Sequence, residues 1–209
     1  MKKLFVWISL TLILGIIINV FWHKELKYTL PTPVPENFQE VPLGTCIDTD
    51  WNKGEENMTF LHFFNPDCPC SRFNLKHFHT LYRANKDKVK FYVIVPEGVS
   101  QKRTRRLVSD DIPILIDTDK KWRKACGIYA TPQAVILDQG QIYYRGNYNK
   151  ARFCTIPGSN YAEVSLKMLL QGEPAPQWEE SATIAYGCQL PDSISVTPSF
   201  TFLPILTLD

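Results

Sequence analysis

A chain of 209 residues with 44% hydrophobic and 21% charged side chains can bury one good-sized core and some additions to it. Its formal net charge of +2 gives no general reason to bind nucleic acid, and its four histidines form no ligand-like pair with a second cysteine cluster, which argues against a zinc ribbon. Six cysteines (Cys46, Cys68, Cys70, Cys126, Cys154 and Cys188) are many for a reduced cytosolic domain, yet too few and too dispersed for a small disulfide scaffold.

Lys2 and Lys3 precede an uncharged run of 19 residues, Leu4 to Trp22. As a helix it is about 28 Å long, which matches a bilayer core. A cleaved signal peptide is the competing reading. Cleavage favours small residues just past the apolar run, where this chain has Asn19-Val20-Phe21-Trp22-His23, and no alanine occurs before Ala84. An uncleaved anchor is therefore expected. Lys2, Lys3 and the amino terminus outweigh Lys24 and Lys27 with Glu25, which keeps the N-terminus inside and places the remainder in an oxidising outer compartment.

Pro31, Pro33, Pro35 and Pro42 favour extended backbone, so residues 23–45 read as a semi-rigid spacer. Leu43-Gly44-Thr45-Cys46 lies too far past the apolar run for a lipoprotein cleavage site, and Cys46 is expected to be structural or disulfide-bonded.

From Met58 the pattern alternates between strand and helix. Strands are predicted over 58–64, 89–95, 112–116, 133–137 and 142–144, the last two joined by the turn Asp138-Gln139-Gly140-Gln141. Helices are predicted over 70–85, 99–109, 119–126 and 160–170; in the first, Phe73, Leu75, Phe78, Leu81 and Tyr82 recur at near-helical spacing. This order implies an α/β class with a central mixed β-sheet flanked by helices. The chain divides into an anchor (1–22), a Pro-rich linker (23–45), a domain (46–172) and an extension (173–209) carrying Gly187-Cys188. Val196 to Leu208, apolar and Thr-rich, either adds an edge strand or packs on the domain.

The chemistry concentrates in Phe63-Phe64-Asn65-Pro66-Asp67-Cys68-Pro69-Cys70-Ser71-Arg72, an apolar strand that breaks at Pro66 and resumes as an amphipathic helix. A thiol at a helix N-terminus meets unpaired backbone N–H groups and the positive end of the macrodipole, both of which favour its anion. Pro69 suits the first helical position, where its missing N–H is not needed. Cys68 is the candidate nucleophile.

With these features the chain resembles thioredoxin-like redoxins over about residues 55–190. The strand–Cys68-Pro69–helix junction is similar to the site of their nucleophilic cysteine. Ile128-Tyr129-Ala130-Thr131-Pro132-Gln133 is similar to their Thr-Pro segment, whose proline is cis and faces the active thiol. Tyr144-Arg145-Gly146, with the late Gly187-Cys188, resembles a redoxin subgroup. The resemblance implies a thioredoxin-like fold, with Thr131 and Pro132 binding substrate and Thr131 offering backbone groups to an extended substrate segment.

The departures matter as much. Cys68-Pro69-Cys70-Ser71 puts its second cysteine one position early, and serine stands where the usual resolving cysteine would be. Asp67 stands where tryptophan is common; its charge opposes thiolate formation, with Arg72 one turn on as a possible counter-charge. Leu61 and Asn65 break the peroxiredoxin pattern, so peroxidase activity is not implied. Three pairings stay open: a Cys68–Cys70 bridge, Cys188 resolving Cys68 or Cys70, and Cys188 bridging a structural cysteine such as Cys154. Cys126 is expected to pack in the core, His77 and His79 to be packed or solvated, and Lys102, Arg103, Arg105 and Arg106 to form a solvated basic face.

The resulting expectation is a membrane-anchored thiol–disulfide oxidoreductase on the periplasmic side of the inner membrane, with Cys68, Cys70 and Cys188 catalytic. It would need no cofactor and no resident metal, act on a protein or small-thiol disulfide, and exchange electrons with a membrane or soluble donor. Two other readings stand beside it. Cys68 and Cys70 suit Cu(I), but copper-carrying relatives place a histidine before the late strand and residues 117–135 contain none. A redox-inactive interaction module is the third, since fold alone does not fix function.

Overall fold

The computed structural model describes residues 2–24, 26, 30–47, 58–150 and 158–191. Cys154 and the apolar piece from Val196 to Leu208 lie outside the described residues. Helix α1 (Lys2–Lys24) has apolar residues on every side, none of its apolar span is buried, and it is long and apolar enough to cross a membrane.

Five strands make the central sheet: β1 (Thr59–Phe63), β2 (Lys90–Pro96), β3 (Ile114–Asp117), β5 (Gln133–Asp138) and β6 (Gln141–Gly146), in the order β3-β2-β1-β5-β6. The first three run parallel, while β5 and β6 run antiparallel to their neighbours. This is the mixed, helix-flanked sheet expected from the sequence. A second, two-stranded ladder joins β4 (Ala130–Thr131) to β7 (Cys188–Gln189). It was not foreseen.

Because successive strand residues point to opposite faces, each central strand feeds two cores. Phe60 and Phe64 of the β1 segment, with Ala134 and Ile136 of β5, meet Phe78 and Leu81 of α2 (Pro69–Asn85) and Leu166 and Leu169 of α5 (Tyr161–Leu170). Leu61, Phe63, Val135 and Leu137 face the other way, against Trp122 and Cys126 of α4 (Lys121–Cys126). Strand β1 is buried at all five positions, consistent with its place at the centre of the sheet. Helix α3 (Gln101–Leu107) is capped by Ser100, whose side chain accepts the Arg103 N–H.

Segments on either side of the sheet dock onto it. The Gly44 N–H donates to the Ile142 carbonyl and the Ile47 N–H to that of Gly140, while Thr32 N–H donates to Ala185 O at 2.8 Å. Beyond α5 the chain passes through the short α6 (Glu180–Thr183). There Asn147 donates from its backbone to Ala182 O and from its side chain to Ser181 O and Ile184 O. Gly146 makes this approach possible, since a Cβ there would sit 2.2 Å from Ala182 O. The route delivers residues 185–190 to the end of the sheet where α2 begins.

Candidate functional site

Helix α2 starts at the C-terminal end of β1, and Cys68 is its N-cap, in extended conformation, with Pro69 at the first helical position. The loop before it is fixed by local hydrogen bonds. Asn65 Oδ1 accepts the Asp67 N–H at 2.9 Å, and the Cys68 N–H donates to Asn65 O. Ser71, at the position expected for a resolving cysteine, is buried; its hydroxyl accepts the Asn65 N–H at 3.4 Å. It braces the loop.

The counter-charge to Asp67 comes from Arg103 of α3, which forms an ion pair with it, rather than from the expected Arg72. Both partners are half exposed, so the pair contributes little to stability, but it offsets the carboxylate beside the thiol. Arg105 is drawn inward instead, donating to the carbonyls of Ser109 and Ile112.

The peptide bond Thr131-Pro132 is cis, as the resemblance implied. Thr131 O lies 3.5 Å from Cys68 Sγ. Cys68 is disulfide-bonded to Cys188, 120 residues away, with a Cα–Cα distance of 6.0 Å. Of the three pairings open from the sequence, the structure holds the one in which Cys188 meets Cys68. Cys70 is buried alongside and is not disulfide-bonded; the Sγ atoms of Cys68, Cys70 and Cys188 lie within 4.8 Å of one another.

Cys188 is fixed by backbone pairing. In the β4–β7 ladder Thr131 faces Cys188 and Ala130 faces Gln189, and Leu190 N–H donates to Tyr129 O at 2.8 Å. The chain's own tail therefore occupies the Thr131 edge that was expected to be open to an extended substrate. Thr32 holds the segment from outside, donating its hydroxyl to Gly187 O at 3.3 Å. Downstream, Arg123 Nη1 donates to Pro191 O at 2.8 Å, while its Nε pairs with Asp117 Oδ2 at 2.9 Å in a buried ion pair. Gly187 is required by contact: a Cβ there would sit 2.2 Å from Thr131 O. Thr32 and Arg123 had no assigned role from sequence, Arg103 was expected only as part of a solvated basic face, and Gly187 was visible only as the neighbour of a cysteine.

Among the described residues, Cys46 and Cys126 lie apart from this cluster. Cys126 is fully buried, and burial together with Asp117 pushes its thiol up to about 12, which suits the expected packing role. Cys46 is exposed and not disulfide-bonded, which removes the disulfide alternative; its backbone bridges to Gln141. His77 pairs with Glu163 at 3.3 Å and His79 lies edge-on against Phe78, so neither belongs to the thiol site.

The chain belongs to the family described as a domain of unknown function, DUF6436, whose model matches residues 44–190. No curated protein matches it. Among solved structures, an uncharacterized conserved protein of Geobacillus kaustophilus is 21% identical, with a TM-score of 0.63 over 79% of this chain and 100% of that one. A hypothetical protein of Sinorhizobium meliloti 1021 is 18% identical, with a TM-score of 0.55 over 73% of this chain and 96% of that one. The thioredoxin domain of a thiol-disulfide oxidoreductase from Bacteroides vulgatus is 13% identical, with a TM-score of 0.47 over 62% of this chain and 99% of that one. At these identities the likeness is one of fold.

Proposed function

We propose that this DUF6436 member is a membrane-anchored thiol–disulfide oxidoreductase in which Cys68 is the nucleophile and Cys188 the resolving thiol. The observation that carries the reading is the Cys68–Cys188 disulfide at the start of α2, against the carbonyl of Thr131. In the reduced form the Cys68 thiolate attacks a substrate disulfide, forming a mixed disulfide and expelling one substrate thiolate. Deprotonated Cys188 then attacks Cys68 Sγ, which releases the second substrate thiolate and re-forms the internal disulfide. Substrate disulfide and protein dithiol thus become substrate dithiol and protein disulfide, and the reaction runs in either direction.

Residues 187–190 leave the Thr131–Pro132 edge when a polypeptide substrate pairs there, so resolving strand and substrate strand use one edge in turn. The substrate is a protein or small-thiol disulfide, and a membrane or soluble thiol donor restores the dithiol. Helix α1 supports anchoring, and Lys2 and Lys3 support a single pass through the inner membrane with the domain on the periplasmic side. The test is insulin disulfide reduction with trapping of mixed disulfides. Cys68→Ser is expected to abolish both, and undiminished activity in that variant overturns the assignment.

A further inference from the structure

Three thiols, not two, converge at the start of α2. The bond between Cys68 and Cys188 accounts for the closeness of that pair, but Cys70 arrives independently, carried by the first turn of the helix. Its Sγ and the other two lie within 4.8 Å of one another, and among the described residues no histidine, carboxylate or fourth cysteine joins the group. We propose that in the reduced protein these three sulfurs bind one Cu(I) ion in a three-coordinate thiolate site, which the Cys68–Cys188 disulfide closes. This is a second activity of the cluster, beyond disulfide exchange.

The donor set selects the ion. Thiolates are soft ligands that favour Cu(I), whereas structural zinc takes four protein ligands and magnesium or calcium takes oxygen. Cysteines two positions apart on one helical turn supply two sulfurs. Their shortcoming as a copper site, a missing third ligand, is met by Cys188 from the far end of the domain. Cys68 and Cys70 are only 1% and 3% exposed while Cys188 is partly exposed, so the ion would be shielded on the helix side and reached from the Cys188 side. Cu(I) with three thiolates carries a net charge of 2−, and the N-terminus of α2, 17 residues long, presents the positive end of its dipole to it.

The redox balance is simple. Opening the disulfide consumes two electrons and two protons from a dithiol, which leaves as a disulfide. Cu(I) then displaces thiol protons without changing its own oxidation state, so uptake releases protons and tightens as pH rises. When a substrate disulfide takes the two electrons and leaves as a dithiol, the Cys68–Cys188 bond closes, which removes two of the three ligands and expels the ion.

Full-length protein in detergent, reduced anaerobically with a phosphine, can be titrated with Cu(I) against a chromophoric Cu(I) chelator, with Zn(II) in parallel. The expected result is one Cu(I) per chain, three sulfur neighbours by X-ray absorption, and no retention after oxidation to the disulfide. Cys70→Ser and, separately, Cys188→Ser are expected to leave two sulfurs and to weaken binding by more than about tenfold, since even an outer-shell partner is typically worth that much. Failure of the reduced protein to retain Cu(I), unchanged affinity in both variants, equal binding by the oxidised protein, or preferential uptake of Zn(II) each overturns the proposal. Insulin reduction on the same preparation scores the exchange reaction separately, so exchange without copper retention overturns this inference alone.

Discussion

Thr131 and Cys188 are cross-strand partners, and the carbonyl of Thr131 also lies 3.5 Å from Cys68 Sγ. One residue before a cis proline thus touches both halves of the disulfide, Cys68 through a carbonyl and Cys188 through the backbone ladder. The tail that carries the second sulfur is also held at Thr32, Tyr129 and Arg123, so in the disulfide form both sulfurs sit on anchored backbone.

Gly187→Ala tests that positioning. The added Cβ would fall 2.2 Å from Thr131 O and 2.9 Å from Thr131 C, which are backbone atoms that cannot step aside alone. The ladder should part, with a loss on the order of 1–3 kcal/mol, as for other overpacked sites. Thiol alkylation followed by mass measurement should find a smaller disulfide-bonded fraction in air. An unchanged fraction would mean that the tail reaches Cys68 without the ladder.

Cys188→Ser removes the cross-link across 120 residues of chain. Loop-closure entropy for a loop of this size corresponds to roughly 5 kcal/mol acting through the unfolded state, and disulfides typically contribute about 2–4 kcal/mol. The lowered urea midpoint should match that of wild type under reducing conditions. During turnover the variant should accumulate mixed disulfides at Cys68, because nothing resolves them; a variant that releases substrate as fast as wild type would assign the resolving step to Cys70.

The alternation of strands and helices was legible because hydrophobic period and turn residues mark each element, the thiol at the start of α2 followed from a local motif, and the cis Thr131-Pro132 bond from the resemblance. The β4–β7 ladder was not. Two residues per strand show no periodicity, and the pairing joins Thr131 to Cys188 across a long stretch of chain. Disulfide connectivity is equally silent in sequence. Arg103 rather than Arg72 faces Asp67, a pairing across 36 residues of chain that no one-turn spacing reveals. The prolines near residues 31–42 signalled extended backbone but not that Thr32 would hydrogen-bond to Ala185 and Gly187.

Arg123 links core to tail. Its ion pair with Asp117 is buried on both sides, at 9% and 3% side-chain exposure, and Asp117 also accepts the Trp122 N–H at the start of α4. Removing the guanidinium in Arg123→Met strands a buried carboxylate, and about 3–5 kcal/mol of stability should be lost. Pro191 O loses its donor in the same step. Hydrogen exchange at the Leu190 amide should therefore quicken more than at the central β1 amides once both are corrected for global stability. Equal acceleration would show that Arg123 acts on the core alone.

Acid stability should depend on His62. Its ring stacks on Phe78 at 4.2 Å between centroids, Nδ1 lies 2.7 Å from the Tyr148 hydroxyl, and burial, reinforced by His79, depresses its pKa from 6.5 to about 3. The unfolded chain takes up a proton below about pH 6.5, whereas the folded chain does not until about pH 3. Stability is then fully present above the unfolded value and is lost as pH falls through the interval between the two, with a slope approaching ~1.4 kcal/mol per pH unit. His77 shifts the same way through burial, opposed by Glu163, so it adds to the slope. Glu163, whose carboxyl is held below its ordinary 4.5 chiefly by Lys167, loses its contribution only at lower pH. Urea midpoints between about pH 7 and pH 5 therefore isolate the histidines. They should fall steadily in wild type and much less in His62→Gln, whose amide can still pair with Tyr148 but cannot titrate. A wild-type midpoint that is flat over this range would mean that His62 takes up its proton in the folded state as readily as in the unfolded chain.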